Sequence, residues 1–422
     1  MTNHDQKKGK PYGKSIPWGI VVIVTTVLSF FSCIPDSKTS PPNSQTGTAI
    51  TESSRQSFQT TTFYTKEMKE SPTGYGGGVP YDKLERYPQL KILYAGSGFA
   101  KEYNEDRSHT FAWEDLVRSK RVTEKTPGSC ITCKTSSIET IFAKEGWGYA
   151  ARKMPEYTAM GLRTISCTSC HETETFKLRV IQPAFKEAME ARGINLSKAS
   201  TREMKTYVCA QCHSEYYFEP GTDRVVHPWG KGFDASSMYE YYETKPKGFE
   251  KDFIQPQSRT LLLKAQHPDF EEYSAGIHAA AKVSCADCHM PKQILGGKRV
   301  TSHSIGSPLH TVEASCLFCH KGKTEEWMIT RVRYIQDSVA ELSMKCMDAL
   351  VKAHENIAEA EKKGGSQELI QKARDQLRKA QWLWDYTASA NSMGFHDGIG
   401  SLRNLARALE LALTVPHMLK NN

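Results

Sequence analysis

The chain reads CTSCH at residues 167–171, and the same spacing returns as CAQCH at 209–213, CADCH at 285–289 and CLFCH at 316–320. A fifth copy, CITCK at 130–134, ends in lysine where the other four end in histidine. C-x-x-C-H is the attachment motif for c-type haem, in which the two thiols bond to the porphyrin and the adjacent histidine ligates the iron. The repeats use ten of the twelve cysteines. They predict five covalently bound haem c groups and a fold built around them.

Zinc and disulfides are the competing interpretations of these cysteines, because zinc ribbons also use C-x-x-C pairs and disulfides suit exported proteins. Neither explains a histidine directly after four of the five pairs. The cysteines predicted to attach haem are Cys130, Cys133, Cys167, Cys170, Cys209, Cys212, Cys285, Cys288, Cys316 and Cys319. The histidines predicted to ligate iron from the same motifs are His171, His213, His289 and His320.

The lysine in CITCK, which we call the lysine motif, distinguishes the haem of this motif from the others. Burial and a metal ion both favour the deprotonated amine, which is the form of Lys134 that would ligate iron. A haem with an open axial position can bind a substrate, whereas a haem with two histidine ligands relays electrons. Lys134 therefore marks either the reactive haem or, in the alternative interpretation, a decayed site that no longer holds haem.

Composition excludes several classes of protein. The chain has 422 residues, of which 39% are hydrophobic and 10% aromatic. This apolar content is too low for a protein with many membrane spans, and the aromatic content is too high for a fully disordered chain. The formal net charge is +8, but the basic residues are spread along the chain. Without a basic stripe, no nucleic-acid partner is predicted.

The N-terminus resembles an export signal. Four lysines within the first 15 residues precede an apolar run at 16–31, the order that is typical of a secretory signal. The run has 16 residues, fewer than the roughly 20 of a membrane-spanning helix. It ends in LSFFSC at 28–33, which is similar to a bacterial lipobox with Cys33 as the lipid acceptor. Lipidation at Cys33, an uncleaved signal-anchor and ordinary cleavage remain open, and each predicts an exported, periplasmic protein.

Four regions are predicted along the chain. Residues 1–33 form the signal or anchor, and residues 34–62, rich in Ser, Thr and Pro, form a flexible linker. Residues 63–323 hold the haem motifs, and residues 324–422 form a helical region packed with them as one unit.

Apolar spacing predicts three helices in the C-terminal region. Between residues 324 and 363 apolar side chains recur in steps of three and four, at Val332, Ile335, Val339, Leu342, Cys346, Ala349 and Ala353. Glycines 364 and 365 end this helix. A second helix is predicted at 366–390 and a third at 399–413, stopped by Pro416. Cys346 lies in the apolar seam, so it is interpreted as a small core residue.

One CxxCK motif followed by four CxxCH motifs resembles the pentahaem, ammonia-forming cytochrome c nitrite reductases. The likeness runs from about residue 103 to 403 and includes CHSEYYF at 212–218, LLKAQHP at 262–268, CHMPK at 288–292, HSIGSP at 303–308 and AQWLWD at 380–385. It implies a mainly α multihaem cytochrome c fold with little β structure. It also implies six-electron reduction of nitrite to ammonium, a membrane-bound quinol-oxidising cytochrome or other electron donor, and a homodimer formed by the C-terminal helices.

The same resemblance implies the second axial ligand of each relay haem. These are His303 for the second haem, His109 for the third, His396 for the fourth and His278 for the fifth. His310 lies close enough to His303 in sequence to compete for the second haem.

The resemblance further implies a substrate pocket and a calcium site. The pocket residues are Lys134, Arg121, Tyr216 and His267, with Arg118 as the alternative arginine. Calcium would take the side-chain oxygens of Glu215 and Gln266 and the backbone carbonyls of Tyr216 and Lys264, hard oxygen ligands of the kind that calcium prefers. The alternatives left open are an aromatic packing patch at the EYY cluster, a pentahaem electron carrier, and a reductase of hydroxylamine or sulfite.

Overall fold

The computed structural model describes residues 82–104, 107–244, 249–303 and 305–420. The signal, Cys33 and the linker predicted for residues 1–62 lie outside these ranges. Within them, no helix combines the length and the apolar character that crossing a bilayer requires.

The described chain is mainly helical, which confirms the predicted fold class, and the helices before residue 290 are short. In chain order they are α1 (Lys83–Arg86), α2 (Leu90–Leu93), α3 (Ala112–Arg118), α4 (Ile138–Glu145), α5 (Gly148–Ala151), α6 (Met154–Ala159), α7 (Pro183–Ala191), α8 (Thr201–Ala210), α9 (Ala235–Thr244), α10 (Asp269–Ala275), α11 (Ile277–Ala280) and α12 (Cys285–His289).

The β structure in the described residues consists of antiparallel two-stranded ladders. They are β1 (Tyr217–Phe218) with β2 (Val225–Val226), β3 (Phe253–Ile254) with β4 (Leu261–Leu262), and β5 (Lys292–Leu295) with β6 (Lys298–Thr301). The ladder of β1 and β2 directly follows the EY pair at 215–216, and the ladder of β3 and β4 ends just before the KAQH segment at 264–267. Each therefore fixes the path of a chain segment that carries predicted site residues.

Three long helices follow the last haem motif: α13 (Glu325–Lys362), α14 (Gln367–Ser389) and α15 (Gly398–Lys420). The side chain of Thr324 caps α13 by accepting a hydrogen bond from the backbone N–H of Trp327, at 3.1 Å. Gly364 adopts a φ of +70° directly after α13, a conformation that favours glycine and ends the helix as expected.

The third helix differs from the prediction. Pro416 was expected to stop it, but α15 continues through Pro416 to Lys420. Proline removes one backbone donor and clashes with one carbonyl a turn earlier, so it weakens a helix without necessarily ending it. Val415, the residue before Pro416, is fully buried, and this packing keeps the last turn in place.

The long helices pack on one another through the apolar seam of α13. Val332, Val339, Cys346 and Ala353 are buried, whereas Ile335, Leu342 and Ala349 are half-buried at the margin. The Cys346 thiol donates to the backbone carbonyl of Leu405 in α15, at 3.1 Å. This agrees with the interpretation of Cys346 as a core residue.

α14 also contacts the region that holds the haem motifs. Its Trp382 Nε1–H donates to the carbonyl of Ala235 at 2.7 Å, and its Tyr386 hydroxyl donates to the carbonyl of Phe233 at 2.8 Å. Asp385 accepts a hydrogen bond from the backbone N–H of Ala265 at 3.0 Å. Buried donors of this kind need a partner, so the AQWLWD segment fixes the chain just before His267.

Candidate functional site

Each CxxC motif folds into a short helical turn. The backbone N–H of the motif histidine donates to the carbonyl of the first cysteine in three of them, at 2.9 Å for His171, 3.0 Å for His213 and 3.0 Å for His320. Residues i, i+3 and i+4 share one side of a helical turn. Both cysteines and the histidine therefore project to the same side. In the lysine motif the N–H of Lys134 donates to the carbonyl of Ile131, at 3.0 Å, so this turn is tighter.

The four motif histidines each face a second histidine from a distant part of the chain. The separations of the ring centres are 6.1 Å for His171 with His303, 6.1 Å for His213 with His109, 6.3 Å for His289 with His396 and 6.3 Å for His320 with His278. These are the same pairs that the resemblance implies. His310, the alternative for the second haem, is exposed in a 3-10 turn.

The spacing of these pairs suits an iron atom between two imidazoles. A metal–nitrogen distance of about 2 Å on each side, plus about 1.1 Å from nitrogen to ring centre, gives a separation of about 6 Å. Burial lowers the pKa of several of these imidazoles, which keeps them in the neutral form that ligates metal. They are His278, His289, His303 and His396, the last with a pKa of about 4.

Hydrogen bonds at Nδ1 orient several of the rings. Nδ1 of His171 lies 2.8 Å from the carbonyl oxygen of Phe176, and Nδ1 of His289 lies 2.9 Å from that of Gly306. Nδ1 of His303 lies 3.1 Å from the carbonyl oxygen of Thr301. A carbonyl partner places the proton on Nδ1 and leaves Nε2 to bind a metal.

Close backbone approach joins the segments of the fourth and fifth haem ligands. A Cβ atom at Gly276 would lie 2.0 Å from the carbonyl oxygen of His396, so this contact requires glycine. Gly276 is the residue before α11, which carries His278. The contact therefore sets the loop of His396 against the helix of His278.

The sulfur atoms show which motifs are neighbours. Counted along the chain, with the lysine motif first, the Cys133 thiol shifts the pKa of the Cys212 thiol in the third motif, and Cys209 in the third motif shifts that of Cys285 in the fourth, so the two thiols of each pair lie close together. These sulfur atoms would hold haem, so the contacts show which haem-binding motifs lie side by side. The third motif is thus adjacent to both the lysine motif and the fourth motif.

Arg121 and Tyr216 lie beside the lysine motif. Burial raises the pKa of the Cys130 thiol to about 11, and the positive charges of Arg121 and Lys134 oppose that rise. Burial also raises the pKa of Tyr216 well above its ordinary value, with Cys133 and Cys130 adding to the rise and Arg121 opposing it. Tyr216 is therefore a protonated phenol at neutral pH and can donate a hydrogen bond.

The structure distinguishes the two candidate arginines. The Arg121 guanidinium lies over the ring of Phe99, 4.4 Å from its centre, and its charge acts on both Cys130 and Tyr216. Arg118 instead pairs with Glu114 at 2.7 Å, with 74% of its side chain exposed. Of the two, Arg121 is therefore the one whose charge reaches the lysine motif.

His267 lies next to the third motif, with its ring centre 6.0 Å from that of His213. The residue before it, Gln266, donates its backbone N–H to Glu215 Oε2 at 2.6 Å. Glu215 precedes Tyr216 in sequence, so this bond holds the chain segments of Tyr216 and His267 together.

Three of the four predicted calcium ligands, Glu215, Lys264 and Gln266, meet at the same bond. Glu215 is fully buried, and its Oε1 atom accepts no hydrogen bond from any residue that the structure describes. The Gln266 side-chain amide lies 3.2 Å from the Lys264 carbonyl oxygen. Burial raises the pKa of Glu215 well above its ordinary value, and the Gln266 N–H only partly opposes this. A buried carboxylate beside carbonyl and amide oxygens suits a calcium ion.

The sequence interpretation missed three buried residues at this site. His227 was given no role, yet its Nδ1 lies 2.8 Å from the Glu215 carbonyl oxygen. Glu271 accepts hydrogen bonds from the Glu215 N–H at 2.9 Å and from Trp229 Nε1–H at 2.7 Å. Asp269 lies 3.3 Å from Nδ1 of His213. The acidic run directly after His267 was a signal for the last two.

Comparisons with known proteins agree with this geometry. The cytochrome c552 family model matches residues 52–421. The cytochrome c-552 of Bacteroides thetaiotaomicron is 36% identical over 366 residues, which cover 84% of this chain and 73% of the relative. The cytochrome c nitrite reductase subunit NrfA of Nitratidesulfovibrio vulgaris is 35% identical over 377 residues, with coverage of 81% and 72%.

Among solved structures, the catalytic subunit of cytochrome c nitrite reductase from Desulfovibrio desulfuricans is similar to this chain, with a TM-score of 0.81 and 31% identity. The match covers 89% of this chain and 88% of that one. Since the family model and these relatives each span most of its length, the chain belongs to the cytochrome c552 family.

Proposed function

We propose that this protein is an ammonia-forming cytochrome c nitrite reductase that reduces nitrite to ammonium with six electrons. The observation that carries the proposal is the contrast among the five motifs. Four of them have a histidine pair, which leaves no open axial position on a haem. The lysine motif ends in Lys134 and lies beside Arg121, whose charge acts on Cys130, and beside Tyr216, whose pKa its cysteines raise. The similar proteins named as nitrite reductases support the same substrate.

The residues around the lysine motif suit an anionic substrate that must take up protons. Haem c held by Cys130, Cys133 and Lys134 would supply an iron with one open axial position for nitrite. Arg121 attracts the anion and stabilises negative charge as electrons arrive. Tyr216 donates a hydrogen bond from its protonated phenol, and His267 serves as a proton donor as each oxygen leaves as water.

The four histidine pairs serve as the electron relay. Two imidazoles on each iron exclude substrate and change little on reduction, which suits a haem that passes electrons on. The contact between Cys133 and Cys212 supports delivery to the lysine motif from the third motif. The contact between Cys209 and Cys285 supports delivery to the third motif from the fourth.

Calcium bound by Glu215, Tyr216, Lys264 and Gln266 would hold the pocket segments in place. The relative from Desulfovibrio desulfuricans is described with two calcium sites. Glu215→Gln should lower the bound calcium measured by elemental analysis. Glu219→Gln, in the same loop but with a carboxylate that accepts a hydrogen bond from the Thr222 hydroxyl, should leave it unchanged. Equal calcium in both variants would contradict the assignment of Glu215.

The cellular setting is part of the proposal. The N-terminal signal supports export to the periplasm, with a tether through lipid on Cys33 or a signal-anchor. A membrane-bound quinol-oxidising cytochrome would then be a suitable electron donor. Exposed apolar side chains on the long helices, among them Trp327, Tyr334 and Leu413, support a homodimer. Light scattering of the haem-loaded protein measures that state directly.

Nitrite turnover by the purified, haem-loaded protein tests the function. With a reduced dye as electron donor, ammonium should form in proportion to the dye oxidised. Protein with five attached haems that makes no ammonium would instead be an electron carrier. A higher kcat/KM for hydroxylamine or sulfite than for nitrite would assign the pocket to that substrate.

A further inference from the structure

The motif histidines do not all have the same kind of hydrogen-bond partner. Nδ1 of His171 and Nδ1 of His289 each face a neutral backbone carbonyl. Nδ1 of His213 faces a carboxylate, with Asp269 Oδ2 at 3.3 Å. The third haem therefore differs from the second and fourth in the charge behind its motif ligand.

Asp269 is held firmly in this position. It is 6% exposed, and its two oxygens accept hydrogen bonds from the backbone N–H of Asn391 at 2.7 Å and from the Asn391 side-chain amide at 2.8 Å. Asn391 lies in the loop between α14 and α15 that carries His396. The carboxylate cannot turn away from His213 without losing these bonds. It is a fixed negative charge between the ligands of the third and fourth haems.

His213, His267 and Asp269 also have ligand atoms within 4.8 Å of one another, as in a separate metal site. The other side of the His213 ring already has a partner for a shared iron, because it faces His109 with the ring centres 6.1 Å apart. With Nε2 directed to that partner, His213 has only Nδ1 left for Asp269. The cluster is therefore a ligand with its supporting carboxylate.

We propose that Asp269 is a positioning residue that makes His213 a more basic iron ligand and thereby lowers the reduction potential of the third haem. A carboxylate pulls the Nδ1 proton more strongly than a carbonyl does, and a more basic imidazole stabilises ferric iron. The inference rests on the haem-binding part of the proposed function. Because the third motif adjoins the lysine motif, a low potential here maintains the driving force for electron transfer to the reactive haem.

Redox titration of the haem-loaded protein, followed by absorbance and by low-spin EPR signals, tests the proposal. Asp269→Asn keeps the shape of the side chain but removes its charge, so one haem potential should rise most, with a smaller rise for the fourth haem, whose ligands His289 and His396 feel the same charge. Activity is not the readout, since Asp269 also lies near His267.

Two variants separate this effect from a change of packing. Glu272→Gln alters a buried carboxylate on the same helix that accepts hydrogen bonds from Ser392 and Ser401. Asn391→Ala removes one contact to Asp269 but keeps its charge. Both should leave all five potentials unchanged. If Asp269→Asn does not load five haems, Asp269→Glu replaces it in the test. This variant moves the charge relative to His213, so the reduction potential of the third haem should shift.

Unchanged potentials in the Asp269 variants, or the same shift in Asn391→Ala, would overturn the proposal. Neither result bears on nitrite turnover by the wild-type protein, so a failure here is distinct from a failure of the proposed function.

Discussion

Lys264 and Asp385 form an ion pair that is almost wholly removed from water. Lys264 Nζ lies 2.9 Å from Asp385 Oδ1, and the two side chains are 3% and 0% exposed. Nζ also donates to Ser389 Oγ at 2.8 Å, and the Tyr94 hydroxyl donates to the same carboxylate. Burial by itself would lower the pKa of Lys264, but the charge of Asp385 raises it above its ordinary value. The pair joins α14 to the segment that leads into Gln266 and His267.

Asp385→Ala should destabilise the protein strongly, because it leaves a buried ammonium without a counter-charge. Removing one partner of a buried pair costs about 3–5 kcal/mol. Glu341→Ala removes a carboxylate from the exposed pair with Lys345, whose side chains are 71% and 60% exposed, and water screens such pairs so that they contribute little to stability. Denaturant unfolding of both haem-loaded variants measures the difference. Equal losses of stability would contradict the buried pair.

His303→Ala should remove one axial ligand from the second haem. The ring of His303 faces that of His171 at 6.1 Å, so its loss should convert one low-spin haem to a high-spin form in absorbance and EPR spectra. His310→Ala is the matched control, because His310 is exposed. A high-spin signal in His310→Ala but not in His303→Ala would reverse the assignment.

Arg121→Gln should lower kcat/KM for nitrite by about 10²-fold, the usual loss when a group that stabilises developing negative charge is removed. Arg118→Gln changes the nearby arginine at the end of α3, which is 74% exposed and paired with Glu114. It should retain activity within about twofold, as expected for a group that does not contact the reacting atoms. Steady-state assays of ammonium formation compare the two. Equal activity in both variants would exclude Arg121 from the pocket.

Because His354 is buried in its neutral form, the free energy of unfolding should decrease as the pH becomes acidic. It is buried between Ser258 Oγ at 2.7 Å and Gln381 Oε1 at 2.8 Å, and burial lowers its pKa from 6.5 to about 4. The unfolded chain therefore takes up a proton first, and stability falls as the pH drops from about 6.5 to about 4. The full effect of such a shift is about 3 kcal/mol.

His354→Gln tests this dependence, because glutamine does not titrate. The advantage of the wild-type protein over the variant in unfolding free energy should shrink as the pH falls through that window. A difference that stays constant between pH 7.5 and pH 4 would show that His354 is not held neutral by the fold.

Much of the haem-binding chemistry could be predicted from local sequence. A helical turn places residues i, i+3 and i+4 on one side, so five CxxC motifs predict haem attachment without knowledge of the fold. The long helices were predicted because apolar spacing and the glycines at 364 and 365 are also local. Pro416 was misjudged, since whether a proline ends a helix depends on the packing around it.

The sequence by itself determined the number of haems, the distinct motif at Lys134 and the helical C-terminal region. Only the tertiary structure decided that Arg121 and not Arg118 approaches that motif, that His227 and Glu271 support Glu215, and that Asp269 faces His213. The contacts of Glu271 and Asp269 join segments far apart in the chain, and all of these partners are common residue types with no spacing rule. Burial then gives them their effect, because a charge or an imidazole removed from water responds strongly to its few neighbours.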